Sequence, residues 1–278
     1  MLDLNQAPNR KALIGAIEKG MDGFADAHDS DYDIVRVLME SLRRGKGRFS
    51  LHRGGHNIVV EPLYYDADLF RRLKPFLTKL RLDTGWNYHL RIPPDIATFL
   101  KISKEGKGDL YLQESGLERR YSQPQNEPLG SLTLIPPAMN IGVIITAASG
   151  NIKKLLDLKG KKIGVPSRLA EGGYMAQTRW LQKHGIPADT MRFVPLRTCE
   201  RVLMSVYRGD VAAGFLTLDT LHRLQKDLQP NRIVILGESR PLGNWLISAR
   251  KNIPGFVKDK IRKILVDKSL YSPKDGPP

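Results

Sequence analysis

The residues of this chain best placed to do chemistry sit in one short run, Ala170-Glu171-Gly172-Gly173-Tyr174. It follows the β-branched segment Lys162-Ile163-Gly164-Val165 and leads into a helical stretch that stops at Gly185. Strand, loop and helix in that order leave unpaired backbone N–H groups at the loop, together with the positive end of the helix dipole. An anion is attracted there, each charge by roughly 0.3–1 kcal/mol. Gly172 and Gly173 keep the backbone approachable. Ser167 offers a hydroxyl and Arg168 a charge if the loop turns inward. Glu171 opposes them. It is a first-turn carboxylate facing solvent, a partner for an ammonium-bearing ligand, or the mark of a site that no longer binds.

Other reactive residues form no set. His52 and His56 flank Arg53-Gly54-Gly55, but no Cys, Asp or Glu nearby completes a metal ligand group, so this segment reads as linker. Cys199 is the single cysteine and reads as a small buried residue, not a nucleophile. His184 and His222 fall late on expected helices, where a cation is ordinary. There is no phosphate-binding P-loop, no Gly-x-Gly-x-x-Gly after a strand and no Gly-x-Ser-x-Gly elbow. No catalytic residue and no cofactor is expected, and an enzyme is the weaker class.

The elements that position the glycine run belong to an internal repeat. In the first copy, strand Asn57-Ile58-Val59-Val60 is followed by the loop Pro62-Leu63-Tyr64-Tyr65. A helix follows, with Leu69, Phe70, Leu73, Phe76, Leu77 and Leu80 at three- and four-residue spacing. Next come a strand near Tyr88 to Ile92, a helix from about Asp95 to Lys104, and Gly108-Asp109 before the strand Leu110-Tyr111-Leu112. The second copy runs Lys162 to Val165, a helix from Tyr174 to His184, a strand Met191 to Val194 and a helix Thr198 to Tyr207. Gly209-Asp210 then leads into Val211 to Phe215. Alternating strands and helices imply mostly parallel sheets flanked by helices. Two such units make two α/β lobes with a cleft at the strand ends. A single doubly wound sheet is the other architecture consistent with the pattern.

The totals agree with a ligand-binding protein. At 278 residues the chain can bury one or two cores. Its formal charge of +15 fits nucleic acid, an anionic membrane surface or a small anionic ligand. The basic residues are scattered, and the densest stretch, Arg43 to Arg48, is short, so it reads as a solvated linker and no nucleic-acid partner is expected. The most apolar run, Leu132 to Ala148, is broken by Pro136, Pro137 and Asn140, and reads as a core strand pair rather than a membrane span. No secretory signal is visible at the start.

From about Ile58 to Asp267 the phrases resemble the phosphate, phosphite and phosphonate substrate-binding proteins of ABC importers. The strongest is Leu156-Asp157-Leu158-Lys159-Gly160-Lys161-Lys162-Ile163-Gly164, which in that family introduces the second lobe. Gly209-Asp210-Val211-Ala212-Ala213-Gly214 followed by Asp219 is the next, and Pro187 to Phe193 a weaker third. The resemblance implies a two-lobed type 2 periplasmic-binding-protein fold, a small-molecule ligand, a membrane permease as partner and an extracytoplasmic location. It places Tyr64 and Tyr65 where the family contacts its ligand with an aromatic, and Asp219 at a carboxylate that holds a ligand amine. Ser115 follows the third strand, where the family's pocket tyrosine is absent. At Ala170-Glu171-Gly172-Gly173-Tyr174 the family carries Ser-Thr-Ser-Gly-Tyr; Tyr174 is kept and the leading hydroxyls are lost.

Asn9 to Leu42 resembles the closing tail of the same family, which suggests a fragment of a tandem array or a permuted module; an unrelated helical pair is the alternative. The expected organisation is an N-terminal helical segment and linker over 1–56, a first lobe over 57–145 with 236–270, and a second lobe over 146–235. The hinge is expected near Ile141 to Thr146 and near Gly237 to Ile247. The expected function is capture of an anionic or zwitterionic solute. A ligand-sensing domain of a signalling protein and an enzyme recruited from this fold are its rivals.

Overall fold

The computed structural model describes residues 56–229 and 231–267. The tail-like segment Asn9 to Leu42 lies outside the described residues. The first sheet holds β1 (His56–Val60), β2 (Tyr88–Arg91), β3 (Leu110–Glu114), β4 (Asn126–Leu132) and β10 (Trp245–Arg250), in the order β2-β1-β3-β10-β4. The second holds β5 (Ile141–Ala147), β6 (Lys162–Val165), β7 (Arg192–Pro195), β8 (Ala213–Thr217) and β9 (Ile233–Pro241), in the order β7-β6-β8-β5-β9. In each sheet three parallel strands are followed by two antiparallel ones. The chain therefore forms two lobes of matching topology, and the single doubly wound sheet is not what forms.

Central strands explain the apolar runs. All five residues of β3 and all five of β8 are buried, so their sequences run continuously apolar until the last positions instead of alternating. The helices α1 (Asp66–Thr84), α2 (Ile96–Lys104), α3 (Ser115–Tyr121) and α7 (Gly255–Val266) belong to the first lobe. The second has α4 (Ala176–Lys183), α5 (Cys199–Arg208) and α6 (Leu218–Leu224). Local signals set their ends. Asp95 caps α2 by accepting from Thr98 N at 2.7 Å, and Thr198 caps α5. Gly106 and Gly209 follow the matching helices α2 and α5 with φ of 65° and 82°, a conformation that glycine adopts without a Cβ penalty. The structural counterpart of Gly209 is thus Gly106. Gly108, its match in the sequence phrase, instead sits tight against Val59 and Tyr111.

The first crossing between lobes lies just before the expected hinge segment Ile141 to Thr146, and the return crossing falls inside the expected segment Gly237 to Ile247. Ile141 to Thr146 is a strand inside the second sheet, where Val143, Ile144 and Ile145 are fully buried, and Gly237 to Pro241 pairs with it. A β-branched run gains more from a central strand position than from a hinge. The chain instead crosses over 133–140, which holds Pro136-Pro137, and returns over 242–244. Prolines without N–H groups cannot extend either ladder. The two crossings are tied together: Leu242 N donates to Asn140 O at 2.8 Å, and Asn140 Nδ2 to Gly243 O at 3.1 Å. The sequence boundaries at 145 and 235 consequently fall within β5 and β9.

Candidate functional site

The loop after β6 enters its helix through one wide turn. Over Glu171–Met175 the backbone forms a π turn, with Met175 N bonded to Ala170 O at 3.0 Å, before tightening into α4. Such single-turn insertions often mark functional positions. The side chain of Gln177, fully buried, fixes the turn from behind. Its Nε2 donates to Gly172 O at 2.7 Å and to Leu216 O on β8 at 3.0 Å. The turn is held rigid, and its first two N–H groups face the other lobe.

A carboxylate fills the space they face. Glu114, the last residue of β3, accepts from Glu171 N at 2.7 Å through one oxygen and from Gly172 N at 2.9 Å through the other. A Cβ at position 172 would lie 2.8 Å from Glu114 Oε1 and 3.0 Å from Thr217, so only glycine permits this approach. Behind Glu114 stands Glu61, whose Oε2 accepts from Glu114 N at 2.7 Å. Both are buried, at 4% and 0% exposure. Burial pushes both carboxyls up. Glu61 rises well above its ordinary range, with the charge of Glu114 adding to burial. Glu114 is held to about 7, because the amides of Gly172 and Glu171 offset part of the burial.

Hydroxyls and ion pairs complete the contact between lobes. Tyr64 OH and Thr217 Oγ1 lie 3.2 Å apart, and Thr217 Oγ1 is 3.0 Å from Thr220 Oγ1. Arg72 of α1 pairs with Asp219 of α6 and donates to Leu134 O at 2.9 Å. Arg223 of α6 pairs with Asp68 of α1 and reaches Glu200 at 2.9 Å. Cys199 N donates to Leu63 O at 3.0 Å, and Tyr65 N to Glu200 at 3.2 Å. The lobes are closed on each other.

The residues singled out from the sequence divide into two groups. Tyr64, Gly172 and the backbone of Glu171 meet at this contact. Asp219 lies beside it, already paired with Arg72. Ser115 packs on Gly243 at the return crossing. Tyr65 is 44% exposed and borders an open groove of about 450 Å³ with Arg197, Arg201 and Arg208. Ser167 Oγ accepts from Leu169 N at 3.1 Å, and Arg168 lies over the Phe193 ring, so both serve their own loop. Gly173 packs against Pro166, and Tyr174 sets its ring edge-on to Phe193, 4.9 Å between centroids. The Glu171 carboxylate is turned out to Arg179, so it does not occupy the place in front of the amides. Cys199 is fully buried, and burial pushes its thiol up, which keeps it protonated and unreactive. Among the described residues no cluster of His, Cys, Asp and Glu could hold a metal ion.

Glu61, Glu114, Thr217, Arg72, Arg223 and Gln177 were not singled out. For the two glutamates a signal existed: each is a lone acid closing an otherwise buried parallel strand, Asn57-Ile58-Val59-Val60-Glu61 and Leu110-Tyr111-Leu112-Gln113-Glu114. Strand carboxyl ends are where ligands sit in open α/β sheets.

The chain's likeness to known proteins agrees with this geometry. The family described as "ABC transporter, phosphonate, periplasmic substrate-binding protein" matches residues 58–275. Among solved structures, PhnD1 of Prochlorococcus marinus in complex with methylphosphonate superposes with a TM-score of 0.65 at 12% identity, covering 76% of this chain and 84% of that one. A binding-protein component of an ABC phosphonate transporter from Pseudomonas aeruginosa gives 0.62 at 16% identity, over 75% and 72%. A Xanthomonas citri protein bound to ATP gives 0.59 at 15%, over 76% and 82%. At these identities the neighbours establish the fold, which is the two-lobed type 2 binding-protein fold. The family match covers most of the chain, so the chain belongs to the phosphonate family of periplasmic substrate-binding proteins of ABC transporters.

Proposed function

We propose that this member of the family captures a small phosphonate-like or phosphate-like solute between its lobes and presents it to an importer's permease outside the cytoplasm. One observation carries the reading. Two adjacent amides, Glu171 N and Gly172 N, converge on a single oxyanion across the cleft, at 2.7 and 2.9 Å. That is the arrangement an oxyanion ligand needs at a helix start. The Thr217 and Tyr64 hydroxyls stand beside it as further donors. An ammonium on the same solute would find Glu114 on the facing lobe, which extends the reading to zwitterions. Asp219 then braces the cleft through Arg72, and Ser167, Gly173 and Tyr174 brace the loop that carries the amides, while Ser115 packs at the return crossing and Tyr65 lies on the outer groove. Solute release requires the lobes to part about 133–140 and 242–244, and a solute closes them by its higher affinity for the closed state. The net charge of +15 speeds the approach of anions.

The test is a thermal-shift and calorimetric series with phosphate, phosphite, methylphosphonate, 2-aminoethylphosphonate and ethylamine, on the chain and on its Glu114→Ala variant. Oxyanions are expected to stabilise, by about 2.7 kcal/mol at a hundred times the dissociation constant. Ethylamine is not. The reading fails if no oxyanion stabilises either protein.

A further inference from the structure

The anion cradle is occupied by the protein itself. The carboxylate of Glu114 is delivered from β3 and taken, one oxygen each, by the two amides that begin the helix of the opposite lobe. We propose that Glu114 is a tethered competitor for the solute: it closes the lobes without ligand and sets how tightly an oxyanion can bind. The proposal rests on the reading of the cleft as an oxyanion site.

Four features of the molecule support it. The contact is bidentate and crosses between lobes, so it does what a bridging ligand does. The turn is fitted to it, since the missing Cβ of Gly172 makes the room that Glu114 Oε1 fills. The strand end that carries the carboxylate is itself anchored, through Glu114 N to Glu61 Oε2 at 2.7 Å. The carboxyl of Glu61 is fully buried, and its Oε1 has no hydrogen-bond partner among the described residues. Two adjacent buried carboxyls are costly, and packing alone would have favoured apolar residues at these strand ends. Their retention is explained if one of them has a partner across the cleft.

The energetic consequence follows from connectivity. A tethered group pays no translational entropy to reach its site and acts at an effective concentration in the millimolar range or above. A free oxyanion binds only the fraction of molecules in which Glu114 has left the amides. Its apparent dissociation constant is raised by the inverse of that fraction. If the self-occupied state holds nine-tenths or more of the molecules, removal of the tether tightens binding at least about tenfold. The same event opens the ligand-free protein.

The experiment compares the whole chain with Glu114→Ala and Glu114→Gln. Cysteines introduced at exposed Leu82 in the first lobe and Leu156 in the second carry a fluorophore pair, with Cys199 too buried to label. Without ligand, the parent protein is expected to give the short interlobe distance it also gives with methylphosphonate. Glu114→Ala is expected to give a longer distance that shortens on adding methylphosphonate, with a dissociation constant at least tenfold lower than the parent's. Glu114→Gln keeps the volume but sets an NH₂ against one amide, and partial opening is expected. It serves if the alanine variant does not fold. Equal ligand-free distances in parent and variants overturn the tether, whatever binds. Dissociation constants within twofold also overturn it. Opening of the variants with no methylphosphonate bound by either protein supports the tether and counts only against the solute reading.

Discussion

The two lobes share one topology and present opposite chemistry where they meet. In the first lobe the parallel strand β1 is followed directly by Glu61, and β3 ends at Glu114. In the second the matching strands β6 and β8 end at Val165-Pro166 and at Thr217. The first lobe thus offers carboxylates at its strand ends, and the second offers a hydroxyl and the amides of a wide helix turn. At these strand ends one shared topology carries donors in one lobe and acceptors in the other. Identical faces would have set like against like. Complementary ones close, and the chemistry of closure is then decided by single residues at strand ends, not by the sheets beneath them.

The largest effect on this complementarity is expected from Arg223→Ala. Arg223 comes from the second lobe and pairs with Asp68 of the first and with Glu200, whose side chains are 9% and 0% exposed. Removing one member of a buried ion pair leaves uncompensated charge and costs about 3–5 kcal/mol. With two carboxylates stranded here, a loss near the upper end is expected in urea unfolding of the chain. A loss under 1 kcal/mol would mean that Arg223 is a rim contact and that the ion pairs do not hold the lobes.

The scaffold was legible in the sequence because its signals are local and repeated. Spacing of Leu69, Leu73, Phe76 and Leu80 marks α1, and all four are buried. Asp95 and Thr198 announce helix starts, and Gly209 the end of α5, whereas Gly106 after α2 went unread behind Gly108. Lys162 to Val165 forms the strand expected of it. The crossings were less legible. Ile141 to Thr146 reads as a hinge segment, and only its long-range pairing with β8 and β9 makes it a strand of the second sheet. The site was legible in part. The glycine run names the donors, because glycine before a helix has a local meaning. The acceptor is more than fifty residues away in sequence, and its one local signal, a lone acid closing an apolar strand, does not say what that acid faces. For the same reason Glu171 reads as the charge before the amides, whereas Arg179, two turns on, draws it aside.

A medium effect is expected from pH, acting on the acceptor face through Glu61 and Glu114, with Glu118 and Glu200 raised by burial in the same direction. Burial raises Glu114 from an ordinary value of 4.5 to about 7, and Glu61 well above 4.5. The folded state therefore binds these protons more readily than the unfolded chain. Their contribution to stability is fully present below about pH 4.5 and is lost as pH rises toward 7. The loss is on the order of 1–3 kcal/mol across that window. Asp95 and Asp157, held low by backbone N–H groups, act with the opposite sign and only below their ordinary value of 3.8. Glu61→Gln removes one of the two protons and is expected to flatten the slope between pH 4.5 and 7. An unchanged slope would place the titration outside the Glu61–Glu114 pair.

The smallest effect sharpens the comparison at its centre. Thr217 ends β8 as Glu114 ends β3, yet its hydroxyl bonds to neutral groups, Tyr64 and Thr220. Thr217→Val keeps the shape, so no cavity opens, and the methyl near Gly172 stays in place. What is lost is a hydroxyl shared between two buried partners, Tyr64 and Thr220. A neutral hydrogen bond of this kind contributes about 1 kcal/mol, with up to about 3 if the tyrosine is left bare. Urea unfolding should therefore report a loss of about 1–2 kcal/mol, below that of Arg223→Ala. Ligand-free lobe distance should stay short, because the Glu114 contact is untouched. If Thr217→Val instead opened the lobes as Glu114→Ala is expected to, the hydroxyl would be the clasp. The acidic strand end would then be its passenger, and the donor and acceptor faces would have to be redrawn around the tyrosine.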